Sequence, residues 1–495
     1  MPPPLPIPGL PHRTTRRRDA IVGAGVLILS ALFLFGGPAR PIVLWDESRN
    51  IINALEMDRR GLGVVTTWRG APDLWNTKPP LMIWLMVGSV RLFGASVLAL
   101  RLPGMIATLG TIAVVMAFVR RTTGSIAAGA LAAAFLVASP ALFGEHGAGT
   151  ADYDSLLVFF VTAYLVLLFG AIHRARPMVS TLVLAGGCVV GAMLTKGVAG
   201  AMPGLGVGTY LMLTRRLPRI AQWRYGAIGA AIAAAVLVFL TVREVAAPGY
   251  LAASWHNDVA GRLTDSLVGA RKPPTFYLAI LWAGYFSAPL LPIVAPFAWR
   301  AMPGRARAVS RYGLCIVGTL LVTTTIAASK LHHYILPAMP FMAIVAAIVL
   351  RAIWRGIRAD RDTVGIALAI VGVLCTALAI ERGVVQRYVV DPRYEGAASG
   401  RYGALFDRLA GQPLPIVAVD PGFANHGDPH YTPVLHAYRL LWRRRRVRIG
   451  WATGPGDRHA GPAVLASCDP PTAAMLLRRG ADIGHVAGCA AVVGR

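Results

Sequence analysis

Runs with little or no charge recur along the chain at 20–38, 102–119, 125–143, 155–172, 178–194, 197–213, 225–242, 275–298, 312–328, 334–350 and 363–380. Each is close to the ~20 residues a helix needs to cross a bilayer's hydrocarbon core. The pattern predicts eleven transmembrane helices. If the N-terminus is cytoplasmic, the inside loops are Arg120–Arg121, Arg174–Arg176, Arg215–Arg224, Arg300–Arg311 and Arg351–Arg361. All are basic, as cytoplasmic loops are. The first run follows a cluster of Arg13, Arg16, Arg17 and Arg18 and lacks a small-residue cleavage signature, so it reads as a retained helix.

The apolar piece 79–98 stands apart. Counting it as a span would put the Arg120–Arg121 and Arg174–Arg176 loops outside, and it carries Arg91 in its middle. It is expected to lie along, or dip into, the outer interface with Trp84 as an anchor; a true span with one extra helix elsewhere is the alternative. Beyond about Tyr388 the sequence turns polar, with β-like runs at Ile416–Val419, Val447–Trp451, Ala463–Ala466 and Ala490–Val493 and a helical stretch near 471–479. The expected organisation is a cytoplasmic tail (1–19), a transmembrane domain (20–380) with outer loops 39–101 and 243–274, and a small α/β domain (381–495).

Composition agrees with the pattern: of 495 residues 55% are hydrophobic and 15% charged, and the mean hydropathy is +0.57. A net charge of +26 would suggest nucleic acid in a soluble protein. Here the arginines sit in short runs between apolar segments, so no nucleic-acid partner is expected. The Arg443–Arg446 run reads as a solvated face or a contact with anionic lipid headgroups. Cys188, Cys315 and Cys375 lie in apolar stretches as small hydrophobes, whereas Cys468 and Cys489 are free to pair if the tail is periplasmic.

With this topology the acids Asp46, Glu47, Glu145, Asp152, Asp154, Asp258 and Asp265 fall on the outer side or its boundary, as do Lys78, Lys196, Arg262 and Lys330. Ionisable groups gathered at one membrane face mark a site. Trp45-Asp46-Glu47-Ser48-Arg49 offers adjacent carboxylates for general base or metal work, or simply a solvated helix start. Asn76-Thr77-Lys78-Pro79-Pro80 holds a lysine that either binds phosphate or snorkels. Asp152-Tyr153-Asp154 is a D-x-D spacing whose acids need not meet one ion, since i and i+2 diverge in an extended loop. In Ser329-Lys330-Leu331-His332-His333-Tyr334, His333 and Tyr334 either donate to a phosphate or belong to an interfacial belt. As a zinc pair His332-His333 lacks an obvious third ligand.

The ordered set Asp46-Glu47, Lys78-Pro79-Pro80-Leu81 with Trp84, Asp154-Ser155-Leu156-Leu157, Lys196-Gly197 and Ser329-Lys330-Leu331-x-x-Tyr334-Ile335-Leu336-Pro337 resembles the aminoarabinose transferase and protein mannosyltransferase-like family of C-type membrane glycosyltransferases, over about residues 20–380. The resemblance implies an inverting enzyme of the bacterial inner membrane whose site faces the periplasm. Its donor would be a polyprenyl-phosphate sugar and its acceptor a lipid or glycan, first lipid A or lipopolysaccharide core, with protein or another envelope glycan as the alternative. It implies Asp46 as base, Asp154 as second acid, Lys78, Arg262 and Tyr334 as phosphate binders and Lys196 as a further cation. Glu47, Asp152, His333 and Lys330 would support them. Thr77 departs from the Glu that commonly precedes Lys-Pro-Pro in aminoarabinose transferases. No cofactor is called for beyond an optional divalent metal, and no dinucleotide-binding glycine motif is present. A secondary transporter is the rival from another class, but it would place its acids near the bilayer midplane.

Overall fold

The computed structural model describes residues 13–35, 42, 45–144, 146–264, 272–286, 288–359, 398–421, 431–444, 448–454 and 461–494. The expected span 363–380, the boundary near 381, Glu145 and Asp265 lie outside these. The protein is a multi-span helical membrane protein. Among the described residues seven helices are long and apolar enough to cross a bilayer: Arg17–Phe35, Val97–Thr123, Asp154–Ile172, Val179–Lys196, Trp223–Ala246, Gly304–Ile326 and His332–Arg355. Their burial differs widely: 89% of the most apolar stretch of the His332–Arg355 span is enclosed by protein, whereas Trp223–Ala246 buries Arg243 alone among the described residues. The first is the bundle's core and the second packs on Val179–Lys196 at its rim.

Three expected spans are broken instead of continuous. The 125–143 run is a helix Ile126–Val137 and a separate turn Pro140–Phe143. The 197–213 run bends at Gly197 (φ 58°) and through the turn Met202–Gly204 before resuming as Leu205–Leu213. A Cβ at Gly200 would stand 2.4 Å from the Ala192 carbonyl carbon, so this fold-back requires glycine. The 275–298 run is split into Phe276–Ile280, Leu281–Tyr285 and Leu290–Ala298. Pro289 and Pro292 lack the N–H groups that would bridge the gap. The piece after Lys-Pro-Pro is a 13-residue helix, Leu81–Phe93, and at ~1.5 Å per residue it is shorter than a ~30 Å hydrocarbon core.

The Val97–Thr123 helix begins earlier than the charge pattern suggests. Ser96 caps it by accepting from the Ala99 N–H, and Gly124 closes it in the left-handed conformation. Arg101 can therefore sit inside its first turns, buried, because wholly buried Glu47 accepts from its guanidinium at 2.7 and 3.0 Å.

The C-terminal part carries a small sheet domain. Its strands are β3 (Ile416–Val419), β4 (Ile449–Ala452), β5 (Ala463–Ser467) and β6 (Ala490–Gly494), β1 and β2 being the short ribbon Thr67–Trp68 and Ala71–Pro72. They are ordered β4-β3-β5-β6, with β3 parallel to both neighbours and β6 antiparallel to β5. Helices Ala398–Arg408 and Tyr431–Arg444, which alternation did not reveal, bury Tyr402, Leu405, Phe406, Leu435 and Tyr438. Cys468 and Cys489 form a disulfide. The Tyr431–Arg444 helix packs on Trp45–Arg60, where the Ile42 N–H donates to the Tyr438 hydroxyl at 2.7 Å.

Because Arg101 neutralises Glu47 in a site closed to water, removing one partner strands the other. Arg101→Met is expected to destabilise the detergent-solubilised protein by about 3–5 kcal/mol. The double change Arg101→Met with Glu47→Leu should recover most of that loss. Thermal unfolding of the three proteins decides it; equal stability of the single and double variants would mean that the pair is not coupled.

Candidate active site

The Trp45–Arg60 helix supports the site. Its first turn carries Asp46 and Glu47, a placement the helix dipole favours. The two acids then part. Glu47 turns inward to Arg101 and also accepts the Ala151 N–H at 2.9 Å, so it fixes the loop that carries Asp152 and does not join the Asp46–Asp152 cluster. Asp46 remains half-buried, with a carboxylate oxygen within 4.8 Å of ligand atoms of His146 and Asp152.

One turn further on, Arg49 pairs with Asp73 at 2.9 and 2.5 Å, and Asn53 adds a bond to the same carboxylate at 3.1 Å. Burial alone would raise the Asp73 carboxyl, but the Arg49 guanidinium and the Asn76 and Asn53 donors hold it below the ordinary carboxylate range. The Asn76 amide reaches Asn50, Asn53 and the Tyr153 hydroxyl at 3.2, 2.9 and 3.1 Å. This network seats the Lys-Pro-Pro segment beside the D-x-D loop. Lys78 is half-buried, its ammonium 5.6 Å from the centre of the Tyr153 ring, and makes no ion pair among the described residues.

The D-x-D acids have different partners. Asp154 holds Lys196 through both oxygens at 2.7 Å, and Asp152 meets His146 Nδ1 at 2.5 Å. Burial by itself would raise Asp152 and lower His146. Their mutual charge and hydrogen bond outweigh it, so Asp152 is held well below the usual carboxylate range and His146 is pushed up to about 8.

The remaining wall is the turn His332–Ala338 with the helix turn Gly261–Thr264. Ser329 N–H donates to the Arg262 carbonyl at 3.1 Å, and the Arg262 guanidinium contacts the Tyr334 hydroxyl. Asp154 and Lys196 lie within electrostatic reach of that tyrosine. Buried Lys330 points back to the Ala327 carbonyl at 2.8 Å. The His333 ring lies 3.8 Å from His146 and 4.9 Å from Tyr334. His146 is thus a third imidazole beside His332-His333 that the sequence pattern did not bring to them; its loop, opposite the same membrane face, was the only signal. Among the described residues two sets of donor atoms lie within 4.8 Å of one another, His146–His332–His333 and Asp46–His146–Asp152.

Thr77 is buried and donates to Asp258 at 2.5 Å, while the Tyr250 hydroxyl donates to the Thr77 carbonyl at 2.9 Å and Asn257 to the Leu74 carbonyl at 3.0 Å. Segment 250–258 is thereby held over the Lys78 segment. The structure brings Asp46, Asp152, Asp154, Lys196, His333, Tyr334 and Arg262 into one continuous cluster, with Lys78 on its Tyr153 side and Lys330 behind its wall. Glu47 lies beneath it.

A family model described as dolichyl-phosphate-mannose-protein mannosyltransferase matches residues 77–242. The undecaprenyl phosphate-alpha-4-amino-4-deoxy-L-arabinose arabinosyl transferase of Pseudomonas savastanoi pv. phaseolicola is 27% identical over 346 residues, 67% of this chain. The match spans 61% of the length of that relative. Among solved structures, ArnT from Cupriavidus metallidurans bound to undecaprenyl phosphate superposes with a TM-score of 0.64 at 18% identity, over 98% of both chains. The oligosaccharyltransferase AglB from Archaeoglobus fulgidus, in complex with an inhibitory peptide and a dolichol-phosphate, gives 0.58 at 12% identity, over 90% of this chain and 65% of that one. The fold is that of the C-type membrane glycosyltransferases. Within that class, the resemblance to the aminoarabinose transferase and protein mannosyltransferase-like family is borne out by the family model and the curated relative.

Thr77→Val removes a hydrogen bond to a carboxylate, worth about 1.5–3 kcal/mol. It is expected to loosen segment 250–264 while leaving the helices beneath it intact. Hydrogen exchange resolved by peptide should show faster exchange there and unchanged rates over Asp154–Ile172; unchanged exchange in 250–264 would mean that the Thr77–Asp258 bond does not hold the segment.

Proposed function

We propose that the chain is an inverting membrane glycosyltransferase that moves a sugar from a polyprenyl-phosphate donor to an acceptor on the periplasmic side of the bacterial inner membrane. The observation that carries this reading is the half-buried Lys78, without an ion pair among the described residues, beside the Tyr153 ring of the D-x-D loop, with the Asp46–Asp152–Asp154 cluster and the Arg262–Tyr334 pair at the same end of the bundle. A cation with no carboxylate partner among the described residues suits an anionic ligand, and a lipid phosphate can reach the end of a bundle from the bilayer.

In this mechanism Asp46 takes the proton of the acceptor hydroxyl or amine as that atom bonds to the anomeric carbon from the face opposite the phosphate. The carbon–oxygen bond to phosphate breaks as the new bond forms, and the phosphate leaves with the electron pair. Lys78, Arg262 and Tyr334 stabilise its charge, while Lys196 orients Asp154. His333, Asp152 and Lys330 line or back the cluster. The acceptor proposed first is lipid A or lipopolysaccharide core, with protein or another envelope glycan behind it.

The proposed orientation puts the basic loops inside and residues 39–101, 243–274 and 381–495 outside. A disulfide between Cys468 and Cys489 suits an oxidising compartment. Reporter fusions are expected to place the 300–311 loop in the cytoplasm and the C-terminus in the periplasm; a cytoplasmic C-terminus would overturn this orientation.

Donor binding and transfer should separate by residue. Lys78→Ala and Arg262→Ala are expected to weaken binding of a polyprenyl-phosphate sugar by about 1.5–3 kcal/mol each. Asp46→Asn should keep donor binding and lose roughly 10²–10⁴ in turnover. Full transfer by Asp46→Asn would sink the mechanism, and equal loss of donor binding in all three would deny Asp46 its role as base.

A further inference from the structure

Lys78 sits on a stretch of backbone with few means of fixing itself. Pro79 and Pro80 have no N–H to donate, and the Leu81–Phe93 helix starts only after them, so the Lys78 carbonyl has no place in that helix's ladder. A residue before proline is also biased away from helical backbone, which leaves the position of Lys78 to partners elsewhere in the chain. Arg243, near the end of Trp223–Ala246, is one of them. It donates from Nη1 to the Lys78 carbonyl at 2.8 Å and from Nη2 to the Thr66 hydroxyl at 3.3 Å. Thr66 is itself buried, and its carbonyl accepts the Asp73 N–H at 2.8 Å, so the guanidinium ties Lys78 to the network around Asp73.

The guanidinium carbon also stands 4.2 Å from the centre of the Tyr250 ring, and the Tyr250 hydroxyl holds the preceding carbonyl, that of Thr77. Two successive carbonyls are thus gripped by two stacked side chains. Arg243 does not behave as a lipid anchor. A snorkelling arginine keeps its head in water, whereas Arg243 is 1% exposed and turned onto Lys78. Among the described residues it forms no ion pair; Asp73 and Asp258 act on it only from further off, and its Nε is buried without a partner. A buried guanidinium so poorly compensated is costly. A lysine would carry the same charge, but only a rigid planar fork reaches the Lys78 and Thr66 oxygens together while stacking on a tyrosine.

We propose that Arg243 is a positioning residue for the donor phosphate: by holding the Lys78 carbonyl against Thr66 and Tyr250 it fixes the backbone from which the Lys78 ammonium is presented. The inference rests on the reading of Lys78 as a phosphate binder. Its signature is that the effect of Arg243 passes through the Lys78 side chain, so that it disappears when that side chain is removed. A residue that merely stabilised the fold would add its effect to that of any other change.

The test measures binding of radiolabelled polyprenyl phosphate, carrying no sugar, to the full chain in detergent. The proteins compared are the parent, Lys78→Ala, Arg243→Met, Arg243→Lys and Lys78→Ala combined with Arg243→Met, with thermal unfolding showing which are folded. Lys78→Ala and Arg243→Met are each expected to raise Kd about tenfold or more. The combined variant should bind within about twofold of Lys78→Ala alone, because nothing is left to position. Arg243→Lys keeps the charge but not the fork, and is expected to stay about fivefold or more weaker than the parent. It replaces Arg243→Met in the same pairing if the latter does not fold. Parent-like binding by folded Arg243→Met or Arg243→Lys would overturn the inference, and so would additive losses in the combined variant, since Arg243 would then act by a route that bypasses Lys78. Undiminished binding by Lys78→Ala would overturn the reading of Lys78 and the inference with it.

Discussion

Glu47 is wholly enclosed by protein, and its carboxylate is satisfied from two directions, by the Arg101 guanidinium and by the Ala151 N–H. A charge in that position is tolerable only because both partners are in place. Through them the Trp45–Arg60 helix, the Val97–Thr123 helix and the loop leading to Asp152 are fixed relative to one another. Asp46, next in sequence, stands at the cluster because Glu47 cannot leave its pocket. The adjacent acids therefore part, Glu47 to the support of the fold and Asp46 to the proposed site.

Outward from that point, the charges in the site are mostly compensated in pairs: Asp73 by Arg49, Asp154 by Lys196, Asp152 by His146. Compensation is what lets so many ionisable groups sit at a bundle end bordering lipid. Against that background Lys78 is conspicuous, since its ammonium has only an aromatic face for company among the described residues. A site for a phosphate-bearing lipid needs an uncommitted cation of this kind next to acids already held by other partners.

Much of the scaffold was legible in the sequence because membrane burial writes itself as long apolar runs, and seven of those runs are unbroken helices. The pattern failed where backbone details decide, at Gly197, at Pro289 and Pro292, and at Arg101, whose charge looked like a helix boundary until Glu47 neutralised it. The four strands of the terminal sheet were readable as short β-like runs, whereas the Ala398–Arg408 and Tyr431–Arg444 helices were not, their apolar residues being mixed with arginines and glycines. At the site, acids and lysines stood out as costly residues in an apolar chain. His146 did not, because its meaning comes from His332 and His333, almost two hundred positions away.

The docking of the terminal sheet domain on the Trp45–Arg60 helix carries a consequence for biogenesis. The Ile42–Tyr438 hydrogen bond joins groups 396 residues apart, and the helix that presents Asp46 rests on a domain made long after it. At synthesis rates of about 5–20 residues per second, roughly 20–80 s separate the emergence of the two sides. Throughout that interval the face of Trp45–Arg60 that packs on Tyr431–Arg444 lacks its cover. Closure of such a distant contact is slow relative to local helix formation. The floor of the cluster is therefore completed only once that domain has emerged, so that chains truncated before the sheet domain would carry the seven spanning helices described above and still lack it.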